Sequence, residues 1–145
     1  MEDHVSFLLT LSTLPEHPKS VPINALVPIK GTPLGENKKV PIENFLGAVA
    51  TARILMPGSI MRLAAGRINL TEGPQVLAFF AGANAVFTGE RMLTTECSGF
   101  ESDRRLFGKW GLVNMKAFKG EGSEGTEAVA DVKRSGKAEE IVEGV

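Results

Sequence analysis

Apolar and polar stretches alternate along this chain in a way that predicts a repeated helix–strand order. Apolar residues at helical spacing predict helices over residues 2–13, 41–56, 74–82 and 103–110. Short apolar runs between them predict strands over residues 21–29, 59–67 and 85–88. Helices that alternate with strands are typical of a parallel sheet covered by helices. The pattern therefore predicts an α/β fold with three parallel strands, whose two sheet edges are open.

The central strand, residues 59–67, carries an arginine where an apolar residue is expected. Alternation along a strand places Arg62 on the same side as Ala64 and Gly66, opposite larger apolar side chains. An arginine is almost never fully buried unless it is paired. We therefore expect Arg62 either to pair with a buried carboxylate or to face a ligand, and its small neighbours leave room beside it.

Length and charge bound the function. A chain of 145 residues with 43% hydrophobic residues can bury the core of one domain. The formal net charge of -1 provides no electrostatic basis for binding nucleic acid. No apolar run approaches the roughly 20 residues that span a bilayer. The first residues lack the pattern of a signal or transit peptide. Because the chain starts within a predicted helix, we expect that it belongs to a longer protein whose targeting segment would precede it.

Few residues are candidates for metal binding. The chain has one cysteine, Cys97, which cannot form an internal disulfide or supply an iron–sulfur site alone. It is expected to be a free thiol in a reducing compartment. His4 and His17 lack the spacing of a metal site and are expected to be solvated.

The last part of the chain differs in composition. Residues 1–118 carry 12 Lys+Arg against 10 Asp+Glu, whereas residues 119–145 carry 4 against 7 and are rich in glycine. Such a stretch cannot bury enough apolar area to offset the entropy of ordering it. We therefore expect a folded region over residues 1–118 and a disordered acidic tail over residues 119–145.

Four motifs in unbroken order carry a family resemblance. They are the stretch from Val21 to Leu34 with its Gly-Thr-Pro-Leu loop, the stretch from Ser59 to Arg67, Ala81–Gly89, and Leu93-Thr94-Thr95. Together they resemble the C-terminal part of the eukaryotic type of biotin synthase, a radical S-adenosylmethionine enzyme, over residues 1–112. The resemblance implies a biotin and thiamin synthesis-associated domain, which forms the last three strand–helix units of an eight-unit TIM-type barrel. It also implies a mitochondrial location.

The resemblance implies a reaction and its cofactors. Biotin synthase converts dethiobiotin to biotin by radical sulfur insertion, using S-adenosylmethionine, a 4Fe-4S cluster and a 2Fe-2S cluster that donates the sulfur. The family's cluster cysteines precede this region and are absent from the chain, so the isolated chain is expected to be inactive. Family members are homodimers, and neither nucleic acid nor a membrane is an expected partner.

The resemblance also implies site residues, each of which has a structural alternative. It makes Arg62 an unusual ligand of the 2Fe-2S cluster, whereas the residues alone equally allow a buried ion pair. It places Asn24 in the substrate and S-adenosylmethionine pocket and Val27 near the adenine, although a buried asparagine can simply bond backbone. It places the carboxylate of dethiobiotin at Thr94 and Thr95, which an ordinary loop turn would also explain. No catalytic residue is assigned.

Two other motif positions, Arg67 and Asn84, are expected to be structural. Arg67, at the end of the second strand, is expected to connect loops rather than touch substrate, and Asn84 is expected to fix a turn. Gly47 lies within a predicted helix where the family usually has arginine, at a cost of roughly 1 kcal/mol relative to alanine.

Two further functions stay open. The chain could be a non-catalytic half that pairs with a separate N-terminal half or with a full-length synthase. It could also derive from another radical enzyme with the same C-terminal region, in the assembly of thiamine or a hydrogenase cofactor. The Gly-Thr-Pro-Leu loop and the Leu-Thr-Thr motif together favour biotin synthase.

Overall fold

A computed structural model describes residues 2–88, 97–114 and 132–134 of the protein. Its helices are α1 (Glu2–Ser12), α2 (Ile42–Leu55), α3 (Glu72–Ala81) and α4 (Phe100–Lys109), and a short 3-10 helix covers Arg67–Asn69. Its strands are β1 (Ser20–Ile23), β2 (Ile60–Leu63), β3 (Ala85–Val86), β4 (Leu112–Asn114) and β5 (Val132–Arg134). The order of the first seven predicted elements is confirmed.

The main sheet is parallel, with the order β1-β2-β3. Both outer strands pair only with β2, so each leaves one edge open within the described residues. The α/β class is confirmed, whereas closure into part of a barrel stays a prediction.

The first two strands are shorter than predicted. Pairing continues just past β1 and β2, where Ala64 N–H donates to Ile23 O and Ala25 N–H donates to Ala65 O. The chain then turns at Gly66, whose φ is +80°, and a Cβ there would collide with the carbonyl of Ala25. Because only glycine tolerates this conformation at no steric cost, the turn ends β2 four residues before the predicted end at residue 67.

One face of the sheet carries the core. Met61 and Leu63 of β2 are fully buried against the helices. Around Leu63, helix α2 contributes Phe45 and Val49, while Phe79 of α3 meets Phe107 of α4 edge to face, with ring centroids 5.6 Å apart. Burial of this apolar surface is the main term that holds the helices on the sheet.

Helix boundaries follow proline and capping chemistry. Pro41 is the N-cap of α2, and Pro57 follows its C-cap. Helix α3 begins at Glu72, two residues earlier than predicted, with Thr71 as its N-cap. Pro74 thus lies in the first turn, where its missing N–H removes no helical hydrogen bond.

The predicted tail needs a partial correction. Val132–Arg134 forms β5, antiparallel to β4, so these three residues are paired backbone rather than unpaired chain. A three-residue strand was missed because the glycine-rich composition around it has no period-2 pattern. The other residues of 119–145 lie outside the described residues, and their disorder stays a prediction.

In the part of the chain that the structure describes, no helix is long and apolar enough to span a bilayer.

Gly47 offers a test of the helix assignment. It lies exposed within α2, and a Cβ there would meet no atom within 4 Å. Gly47→Ala should therefore raise the free energy of unfolding by about 0.5–1 kcal/mol, because alanine loses less backbone entropy on folding. Urea denaturation followed by circular dichroism measures the change.

The matched control is Gly82→Ala, just after α3. Gly82 has a φ of +129°, and a Cβ there would lie 2.6 Å from Cβ and Cγ of Arg53. This second alanine should destabilise the protein. A Gly47→Ala protein that is less stable than the wild type would contradict the assignment of residue 47 to a free helix surface.

Candidate functional site

The sheet face opposite the helices carries Arg62 in its centre. In the strand register Arg62 pairs with Pro22 of β1 on one side and with Ala85 of β3 on the other. Neither neighbour offers a carboxylate. Arg62 is half-buried, and its Nε is buried without a hydrogen-bond partner among the described residues. An unsatisfied buried N–H is costly, so this arginine is suited to receive a ligand.

Arg62 forms no ion pair with any of the described residues, so the buried ion pair that its sequence allowed as an alternative is not found there. The ion pairs found there are Arg67 with Asp103 and Lys109 with Glu72. The pairing that the sequence suggested for one arginine thus belongs to the other, five residues later. What remains for Arg62, as a prediction, is the second option: it faces a ligand.

Asn24 follows β1 and is bonded to β2. It is exposed rather than buried as expected, and its Oδ1 accepts a hydrogen bond of 2.9 Å from Ala65 N–H. This contact matches the structural alternative, in which the amide bonds neighbouring backbone. One oxygen lone pair and the amide N–H groups can still reach a ligand, so its role in a pocket stays a prediction.

The other predicted pocket residues are less constrained. Val27 is half-buried in the segment that follows β1. Thr94 and Thr95 lie outside the described residues, so their predicted contact with a carboxylate is untested. Because carboxyl ends of parallel strands meet at one edge, Asn24 and the described residues directly after β3, Phe87 and Thr88, belong to the same end of the sheet.

Arg67 belongs to the more buried of the two ion pairs found among the described residues. Only 3% of its surface is exposed, and its Nη1 and Nη2 donate to the two carboxylate oxygens of Asp103 at 2.6 and 2.7 Å. Nη1 also donates to Gln75 Oε1 at 2.9 Å, and Nη2 lies 3.5 Å from Phe87 O. We call these four residues the Arg67 network. It joins the end of β2 to β3, α3 and α4, which confirms the expectation that Arg67 connects loops.

Asp103 of this network was missed as a functional position. It lies in the first turn of α4, where the helix dipole favours a carboxylate, and it is 3% exposed. The available signal was its spacing: Asp103 shares a helix face with Leu106 and Phe107, so a charged residue stands in an apolar series.

A second arginine network lies at the amino end of the sheet. Arg53 of α2 donates through Nε to Gly82 O at 2.9 Å, and through Nη1 to Pro57 O at 2.7 Å and Ser59 O at 2.8 Å. We call these four residues the Arg53 network. It holds together the entries to β2 and β3, where carbonyls would otherwise be unsatisfied.

Asn84 connects the start of β3 to β2, a contact between strands rather than the local turn that was predicted. Its N–H donates to Met61 O, and its Oδ1 accepts from Met61 N–H at 2.9 Å. One residue therefore satisfies both backbone groups of Met61.

The donors for an iron–sulfur cluster are incomplete. Within residues 2–88, 97–114 and 132–134 no group of three or more His, Cys, Asp or Glu side chains could hold a metal ion. Cys97 is a half-buried free thiol, and His4 and His17 are exposed, as expected. The described residues thus offer Arg62 as a single candidate ligand and do not by themselves fit a cluster.

A cleft of about 320 Å³ between α3 and α4 reaches the Arg67 network. At its rim Glu72 accepts hydrogen bonds from Lys109 Nζ at 2.7 Å and Trp110 Nε1 at 2.9 Å. These two donors, Lys109 first, lower the pKa of Glu72 below its ordinary value of 4.5.

This shift predicts a pH-dependent contact. A carboxylate with a lowered pKa adds stability that is present above pH 4.5 and is lost as the pH falls through its folded-state pKa. Trp110 is the single tryptophan, so its fluorescence should change with a midpoint below 4.5. Glu72→Gln should remove that transition, whereas Glu101→Gln on the exposed side of α4 should preserve it. A transition of the same midpoint in Glu72→Gln would contradict the assignment.

Comparisons with known proteins cover most of the chain. Residues 22–113 match the family described as Biotin and Thiamin Synthesis associated domain. The mitochondrial biotin synthase of Emericella nidulans is 56% identical over 124 residues, which are 86% of this chain and 32% of that protein. The biotin synthase of Schizosaccharomyces pombe is 52% identical over 130 residues, 86% of this chain and 36% of that protein. The mitochondrial biotin synthase of Arabidopsis thaliana is 49% identical over 112 residues, 77% of this chain and 30% of that protein.

The chain spans about a third of the length of these relatives. The resemblance to a biotin synthase C-terminal portion, inferred from the four motifs, is confirmed.

Proposed function

The chain belongs to the family of the Biotin and Thiamin Synthesis associated domain, and from this premise we propose that it supplies the C-terminal part of the pocket of a biotin synthase. In that role it takes part in the conversion of dethiobiotin to biotin. The observation that carries the proposal is Arg62, whose buried Nε has no partner among the described residues and whose register neighbours leave it open. The identity of about 50% to proteins named biotin synthase supports the choice of substrate over that of the other radical enzymes.

In the proposed pocket each residue of this chain has a binding role. Thr94 and Thr95 would hold the carboxylate of dethiobiotin through hydroxyl and backbone donors. Asn24 would orient the substrate or S-adenosylmethionine with the amide N–H groups that remain free of Ala65. Val27 would pack near the adenine. These contacts fix position and exclude water, which is how binding groups lower a reaction barrier.

Arg62 would be the single ligand that this chain offers to a 2Fe-2S cluster, the group that supplies sulfur in the family. Arginine is normally protonated and therefore a poor metal ligand, so the assignment depends on the resemblance and on the Nε that has no partner among the described residues. The cysteine donors of both clusters are not among the 145 residues, which contain Cys97 alone. The isolated chain should therefore form no biotin.

Binding of the substrate tests the proposal. We would mix the chain with the N-terminal two-thirds of the Emericella nidulans relative and titrate the mixture with dethiobiotin and with its methyl ester. Calorimetry should detect binding of dethiobiotin. The methyl ester should bind at least tenfold more weakly because it has no carboxylate. The double variant Thr94→Val/Thr95→Val should bind dethiobiotin at least tenfold more weakly because the carboxylate loses its hydroxyl donors. Equal affinity for acid and ester would contradict the carboxylate site.

A second role is favoured by the open edges of the sheet. Among the described residues, strands β1 and β3 each pair on one side only, which leaves backbone groups for another chain. A non-catalytic half that completes a synthase from a separate chain would use these edges. This role predicts that the chain co-purifies with an N-terminal half or with a full-length synthase.

A mitochondrial location is part of the proposal. The relatives from Emericella nidulans, Saccharomyces cerevisiae and Arabidopsis thaliana are named as mitochondrial proteins. The resemblance further implies that the complete assembly is a homodimer. Gel filtration of that assembly would test this expectation.

A further inference from the structure

We propose that Arg67, held by Asp103, is a positioning residue for the pocket: it fixes the carboxyl end of β2, and through it the relative placement of Asn24 and Arg62. This inference depends on the proposed function for its ligand but not for its geometry.

The two ends of β2 are held by separate arginine networks. At the amino end the Arg53 network binds the carbonyls of Ser59 and Gly82. At the carboxyl end Arg67 donates to the side chains of Asp103 and Gln75, and its Nη2 lies near the carbonyl of Phe87. Active sites on parallel strands lie at the carboxyl ends, so the second network lies at the functional end.

Backbone contacts connect the Arg67 network to the pocket residues. Phe87 N–H donates to the carbonyl of Leu63 at 2.9 Å, and Leu63 follows Arg62 directly. Two residues before Arg67, Ala65 N–H donates to Oδ1 of Asn24. A shift of Arg67 therefore reaches Arg62 through β3 and reaches Asn24 through Ala65.

The Asp103 carboxylate makes this placement rigid. Both of its oxygens accept from the planar guanidinium, and both side chains are almost fully buried. A bidentate pair fixes the orientation of both groups, unlike a single contact to lysine. The exposed ion pair of Lys109 and Glu72 also joins α3 and α4, but it makes no contact with β2 or β3. It therefore provides a matched control.

Strand β2 and the residues directly after it contain two comparable reporters. Ala65 N–H just past the carboxyl end of β2 and Met61 N–H at its amino end each donate to an asparagine Oδ1 at 2.9 Å, from Asn24 and Asn84. The bonds join the same chemical groups, the Asn84 contact being part-buried and the Asn24 contact exposed, and a different arginine network lies beside each. Hydrogen exchange of the two amides, each relative to the wild type, therefore separates a local from a global effect.

The experiment is amide exchange by NMR on the full chain with Asp103→Asn, which keeps the side-chain shape. Exchange at Ala65 should accelerate at least tenfold with Met61 changed less than threefold, and Arg53→Lys should produce the reverse. Lys109→Met should change neither. Equal acceleration at Ala65 and Met61, or none at Ala65, would overturn the proposal. Should Asp103→Asn not fold, Arg67→Lys is measured in the same way.

Ligand binding is measured separately, on the assembly with the N-terminal part of the relative. Asp103→Asn should weaken the binding of dethiobiotin at least tenfold. The measurement is made at a temperature where circular dichroism shows that the variant is folded. Unchanged affinity beside a lowered melting temperature would make the pair merely structural and overturn the proposal. Failure of the wild type to bind dethiobiotin would contradict the proposed function, while the exchange result still decides whether Arg67 fixes this end of β2.

Discussion

Asp103→Ala should lower the free energy of unfolding by about 3–5 kcal/mol, because it leaves a buried guanidinium without its counter-charge. Arg67 is 3% exposed, so water cannot replace both lost acceptors. For a domain whose total stability is about 5–15 kcal/mol, this is a large part of the total. Urea denaturation followed by circular dichroism measures it.

Two further variants show whether charge is the cause. Arg67→Met with Asp103→Leu removes both charges, and it should be more stable than Asp103→Ala alone, since replacing a buried pair by apolar groups is often neutral. Arg62→Met should change the stability by less than about 1 kcal/mol, because the Arg62 side chain has no carboxylate partner among the described residues. An Arg62→Met protein that loses as much stability as Asp103→Ala would mean that the two arginines have been assigned the wrong roles.

Arg53→Met should lower the free energy of unfolding by about 2–4 kcal/mol, the second largest effect expected. Its guanidinium donates to three carbonyls, and those of Ser59 and Gly82 are in part-buried contacts. Each charge-assisted hydrogen bond contributes about 1.5–3 kcal/mol, and part of this is recovered where water reaches the exposed Pro57 carbonyl.

Arg53→Lys separates the guanidinium from the charge. A lysine keeps the charge but has one nitrogen in place of the separate Nε and Nη1 donors that reach Gly82 and Ser59, so at least half of the loss should persist. The melting temperature of both variants checks this. An Arg53→Lys protein of wild-type stability would show that charge at this position suffices and that the three carbonyl contacts are not needed.

Local patterns predicted the elements better than the contacts between them. Helix α2 could be predicted closely, because Ile42, Phe45 and Val49 follow helical spacing and prolines flank it. Strand β1 was predicted too long, because the apolar run 25–29 continues past Ala25, where the last backbone bond to the β2 segment is made. Apolar composition indicates burial but does not show where pairing stops.

The arginines show the limit for the site. The sequence showed that an arginine in this stretch needs a carboxylate or a ligand, yet Arg62 and Arg67 both satisfy that description. Asp103, 36 residues from Arg67 in sequence, decides between them, and only the packing of α4 on the sheet brings it there. Asn24 was similarly expected to be buried, because its neighbours in the sequence are apolar. In the structure its side chain is exposed and accepts a hydrogen bond from Ala65 N–H.

Biotin formation by this chain together with the N-terminal two-thirds of the Emericella nidulans relative shows whether the chain completes a biotin synthase. Both would be expressed in a strain that lacks its own biotin synthase, and growth without biotin would be measured, with immunoblots of both chains. Cells that express both chains should grow, and cells that express either chain alone should not. Absence of growth when both chains are present and co-purify, or growth with the N-terminal part alone, would contradict the claim that this chain supplies part of a biotin synthase pocket.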